Sequence, residues 1–161
     1  MSGVRWRMGM VAVTGVLCCG VPTAASAARV SVTSAIHAQD KAVKNSPAFK
    51  KLEHTTVNTP AQAKKVIPEL TAAAKKLDQA ATAVSKATAT TTKQRAGQKD
   101  WVTGVRDLSH GFSQLVTALK DVEHGNQAAG KKEALAAQRS LNKGNTVGSK
   151  GDRLLGLPTS D

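Results

Sequence analysis

From Gln98 to Gly125 the chain runs through four consecutive heptads. Position a holds Gln98, Val105, Phe112 and Leu119, and position d holds Trp101, Leu108, Leu115 and Val122. An apolar seam with this spacing belongs to a helix laid against other helices, so Trp101 and Phe112 are expected in a core and not around a ligand. Position g holds Gly104, Gly111, Ala118 and Gly125. A glycine inside a helix costs about 1 kcal/mol relative to alanine. Its repetition on one edge therefore predicts a neighbouring helix that packs unusually close there. Positions b and c carry Lys99-Asp100, Arg106-Asp107 and Lys120-Asp121, read as a mixed-charge stripe facing water.

An alanine-rich helix precedes this block. Thr59-Pro60 is a start signal, with Thr as cap and Pro at the first helical position. Leu70, Leu77 and Val84 lie seven apart among Ala73, Ala74, Ala80, Ala81 and Ala87. Pro68 predicts a kink or a restart near Ile67, and Gly97 a stop, which places the turn between residues 90 and 99. A last helix is expected after Gly125-Asn126. Ala134, Leu141, Gly148 and Leu155 are seven apart there, as are Gly130, Ala137, Gly144 and Gly151, a second small-residue stripe. The glycines leave residues 143–151 open between helix and loop. Leu154 to Leu157 reads as an apolar plug ended by Pro158. At the front, Val32, Ile36 and Val43 suggest one short helix, and Ser46-Pro47 caps another carrying Phe49 and Leu52. Short connections between these segments predict an all-α, antiparallel up-and-down four-helix bundle spanning residues 28–158, with 159–161 a disordered tail.

The first 27 residues read as an address. Arg5 and Arg7 precede an apolar run from Met8 to Val21, and Ala25-Ser26-Ala27 offers a small-residue cleavage site. The run is well short of the ~20 residues a membrane-spanning helix needs. Export as a secreted protein of bacterial type is the expectation. The alternative is a lipid anchor at the outer membrane face through Cys18 or Cys19, although Val16-Leu17-Cys18 before Cys19 matches that processing poorly. Cleavage after Ala27 would remove every Met and every Cys, leaving an exported domain that relies on its apolar core without disulfides. It would also remove Arg5 and Arg7 and no acid, so the formal net charge of +12 falls by two.

That charge is the most widespread functional feature. Lys64, Lys75 and Lys86 recur every eleven residues, about three helical turns, and so line one outer face with Lys65 and Lys76 beside them. Compact lysine charges suit salt-sensitive attraction to polyanions more than bidentate recognition. Aromatic residues make up only 2% of the chain, with no Tyr, so base-stacking platforms are missing and nucleic acid is disfavoured as a partner. Anionic cell-wall polymers, lipid headgroups or an unidentified protein fit the compartment better. Solubility alone is the competing explanation of the charge.

Catalytic and cofactor signals are sparse. The chain has no G-x-S-x-G and no phosphate-cradling glycine loop, and its acids are spread singly, mostly beside bases. A non-catalytic protein without a cofactor is expected. The alternative is a small metal- or haem-binding carrier using Asp107-x-x-His110 and Asp121-x-x-His124, two acid–imidazole pairs two heptads apart. Both imidazoles fall at position f, facing water, which makes ordinary surface pairing the simpler reading. The sequence thus speaks to destination and shape, and leaves the specific ligand, the oligomeric state and any role of the charge beyond solubility open.

Overall fold

Five polar side chains start five helices. Ser31, Ser46, Thr59, Thr91 and Asn126 each accept a hydrogen bond from the backbone N–H three residues on. At Thr59 and Thr91 the third residue, Gln62 or Gln94, reaches back to the cap's own N–H and completes a capping box. The helices are α1 (Val32–Lys44), α2 (Pro47–Glu53), α3 (Pro60–Ser85), α4 (Thr92–Glu123) and α5 (Gln127–Leu155). This computed structural model describes residues 30–55, 57 and 59–159. The expected leader 1–27, with Cys18 and Cys19, and the last two residues lie outside the described residues.

Cross-helix contacts give the directions. Ion pairs and hydrogen bonds join Lys64 to Glu123, Ser109 to Ala74 and Gln98 to Val84, so α3 and α4 run antiparallel. Gly97 meets Leu155 and Gly151 while Gly130 meets Val122 and Ala118, so α4 and α5 are antiparallel too. The α1–α2 segment lies along α3, with Thr88 N–H donating to the Val30 carbonyl at one end and Lys51 paired with Glu69 at the other.

The core between these elements is built from Val32 and Ile36 of α1, the α3 positions Leu70, Ala73, Leu77, Ala80, Ala81 and Val84, and Trp101, Val105 and Phe112 of α4. Trp101 and Phe112 are core residues, as the heptads require. Phe49 of α2 meets Phe112 edge-on, with ring centroids 5.8 Å apart at 71°. Gln98, which occupies a seam position, donates from its side-chain amide to the Val84 and Ala87 carbonyls at 2.7 and 2.9 Å. It closes the C-terminal end of α3, where carbonyls lack helical partners.

Several expectations need correction. Among the described residues there are five helices and not four, because the N-terminal arm breaks at Asn45–Ser46, where Ser46 and Pro47 start a new helix. The turn before α4 spans residues 86–91 and not 90–99. The Thr91–Gln94 capping box starts the helix early, and Gly97 is a buried interior residue and not a stop. Pro68 does not restart α3, which is one helix through it; the ring sits on the exposed side, where the carbonyl it leaves unpaired is open to water. Residues 143–151 are helical. The chain leaves α5 through Gly156 at φ 71°, with Leu157 N–H donating to the Asp152 carbonyl at 2.9 Å and the Leu157 side chain packed on the core.

Candidate functional site

The glycines decide how the charges are arranged. Gly97, Gly104, Gly111 and Ala118 of α4 face Gly130, Ala137, Gly144 and Gly151 of α5, and all eight are buried. A Cβ on Gly104 would strike the Gly148 backbone nitrogen and lie 2.7 Å from the Gly144 carbonyl oxygen. One on Gly144 would lie 2.8 Å from the Gly104 oxygen, and one on Gly151 2.5 Å from the Trp101 nitrogen. The close neighbour expected beside the position-g glycines is α5. Gly125 has a different reason: it turns the chain at φ 80°, with nothing near its missing side chain.

With the two backbones in contact, side chains flanking the seam reach directly across it. Asp100 pairs with Lys150 at 3.0 Å and Asp107 with Lys143 at 3.1 Å. Asp100 and Asp107 are seven apart, as are Lys143 and Lys150, so one register makes both bridges. Away from this seam Glu123 of α4 pairs with Lys64 of α3 at 3.5 Å, and Glu69 of α3 with Lys51 of α2 at 2.6 Å. These are the four ion pairs among the described residues. Each has a solvent-facing lysine, so each is worth little in stability. Their consequence is electrostatic: four acids are engaged between helices.

The bases that remain point outward. Lys64, Lys65, Lys75 and Lys86 are exposed and Lys76 is half-buried; of the five, Lys64 is the one in an ion pair. Lys65 stands apart from the others. It lines an open groove of about 860 Å³ between α2 and α3, together with Lys50, Lys51, His54 and Glu69. Lys75 lines a different groove, between α3 and α4, with Thr71, Asp78, Ser109 and Ser113. The lysines of α3 thus flank the helix on two sides instead of forming one patch.

The α4 stripe read as mixed in charge separates in the structure. The position-c acids Asp100 and Asp107 turn to α5, whereas the position-b bases Lys99, Arg106 and Lys120 stay exposed, as does Arg95; the third position-c acid, Asp121, is half-buried and in none of the four ion pairs. His110, at position f, is exposed beside this stripe, and His124 is the exposed residue that closes α4. These α4 bases were missed as site residues. The signal that could have found them is the matching seven-residue spacing of Asp100/Asp107 and Lys143/Lys150. For the metal alternative, Asp107 is engaged by Lys143, and no group of three His, Cys, Asp or Glu among the described residues could hold a metal ion.

One acidic pair departs from this order. Asp152 of α5 is pushed up from 3.8 to about 6, first by burial and then by the negative charge of Asp40 on α1. Asp40 is also raised by burial, with Lys44 and His37 pulling the other way. Among the described residues, no helix is long and apolar enough to cross a membrane. Comparisons with protein-family models, curated proteins and solved structures found no match.

Proposed function

We propose that this is a secreted, non-catalytic helical protein that adheres to anionic polymers of the bacterial cell envelope through its basic outer surface. The leader-like residues 1–27 support the destination, and the folded unit is 28–158, an up-and-down bundle in which α1 and α2 together form one broken arm. The observation that carries the reading is the sorting of charge: Glu69, Asp100, Asp107 and Glu123 are engaged between helices while Lys75, Lys86, Arg95, Lys99, Arg106 and Lys120 stand exposed and in no ion pair among the described residues. A surface of one sign attracts polyanions over several kT, in a way that salt suppresses.

The test is retention of the processed chain on isolated cell wall across a salt series. The reading expects retention at low salt that is lost as salt rises. Passage through the wall material even at low salt, or retention indifferent to salt, would contradict it.

A further inference from the structure

The antiparallel register of α3 and α4 brings two separate basic series level with each other. Val84 sits opposite Gln98, Ala74 opposite Ser109 and Lys64 opposite Glu123. Counting from these contacts, Lys86 falls level with Arg95 and Lys99, Lys75 with Arg106 and His110, and Lys64 with Lys120. All of these are exposed, Lys64 in its ion pair with Glu123, so the third rung carries a carboxylate as well. The result is three basic rungs across the pair of helices, about 16 Å apart at 1.5 Å rise per residue. Between the rails runs the groove that holds Lys75, Ser109 and Ser113, together with the exposed carboxylate of Asp78.

We infer that this face is a track for a linear phosphate polymer lying along the helix axes. The inference rests on the adhesion reading and narrows it to one face and one chemistry. Phosphate suits the donors: Arg95 and Arg106 offer planar forks that match phosphate oxygens, and the lysines offer point charges. A flexible linear chain suits the spacing, because rungs in a row engage successive groups of one molecule and gain from their linkage. A membrane fits less well. Among the described residues the large apolar side chains that stand exposed are Val30, Val57 and Leu135, none of them on α3 or α4, so this helix pair has nothing of its own to insert among lipid chains.

Long-chain inorganic polyphosphate is the probe, titrated against the processed chain at low salt, with vesicles containing anionic lipid in parallel. Reversing Lys75, Arg106 and Lys99 to Glu should weaken polyphosphate binding more than tenfold, whereas reversing Lys131, Lys132 and Arg139 on α5 should weaken it less than threefold. Asp78→Asn should tighten binding, since it removes the one carboxylate lining the groove. Circular dichroism of each variant confirms that it remains helical. Equal losses from the α3/α4 and α5 reversals would overturn the track while leaving diffuse adhesion standing. Stronger binding to vesicles than to polyphosphate would replace the polymer with a membrane surface. Absence of binding to either at low salt would end the adhesion reading itself.

Discussion

Two parts of this molecule are held together by opposite means. Along α4 and α5 the backbones touch, and the side chains that matter are the absent ones of Gly104, Gly144 and Gly151. Between α1 and α3 the contact is made by side chains, with Ile36 and Val84 both fully buried. A side-chain interface can lose a methyl group and keep its geometry, at the cost of a cavity. A backbone interface cannot gain an atom without moving a helix. The first kind of contact tolerates deletion and the second tolerates neither insertion nor drift, so register is fixed most firmly at the glycine seam. That register also determines which acids meet which lysines.

The comparison is broken most sharply at Gly104. Replacing Gly104 and Gly111 together by Leu should cost more than ~3 kcal/mol, beyond the usual range for overpacking, because the obstruction at Gly104 is backbone and at Gly111 the partly buried Leu141 that packs on the core. The midpoint of thermal unfolding should fall by about 10 °C or more. An unchanged midpoint would show that the seam has slack. Ile36→Ala probes the other interface and should cost about 2–4 kcal/mol in chemical denaturation, without change in the α4–α5 pairing. Gln98→Ala should cost about 1–2 kcal/mol, because the Ala87 carbonyl loses the side-chain amide and the Val84 carbonyl keeps only backbone donors.

Within α5 a pair of alanine substitutions sharpens the contrast in sign. Gly144→Ala should destabilise, since its new methyl would press on the Gly104 oxygen and the Leu108 nitrogen. Gly148→Ala, with nothing within 4 Å of its missing side chain, should stabilise by about 0.5–1 kcal/mol through helix propensity alone. The smallest effect concerns Asp152. Its folded carboxyl titrates near 6 against an ordinary 3.8. Between those values the folded state holds a proton that the unfolded state has released, so this group makes stability fall as pH rises from about 3.8 to 6. Asp152→Asn should raise the unfolding midpoint at neutral pH and flatten the slope across that window.

Much of this was legible in the residues. Repeats in Val105, Phe112, Leu108 and Leu115 announce the α4 seam, and the two small-residue stripes announce a close partner on each side. Gly97 was misread because a glycine at a helix end and one pressed against a neighbour look alike until the neighbour is known. Its membership of the series Gly97, Gly104, Gly111 was the available clue. The break between α1 and α2 was visible in Ser46-Pro47, yet the count of arms required knowing that both lie along α3. The basic row of α4 was hidden because Asp100 and Asp107 sit next to Lys99 and Arg106 in the chain and appear to neutralise them. One position along a helix is about 100° of rotation, enough to send the acid to a neighbour and the base to water.

Composition supplies the excess of base, a formal net charge of +12, and folding decides which bases stand together on the outer surface. The unfolded chain carries the same charges, with acids and bases interspersed. The most direct test compares polyphosphate binding by the processed chain and by its Gly104→Leu/Gly111→Leu variant, at a temperature where circular dichroism shows only the first to be helical. Net charge is identical in the two. Binding at least tenfold weaker by the unfolded variant is the predicted result; equal affinity would mean that loose cationic charge suffices and that the arrangement of helices contributes nothing to it.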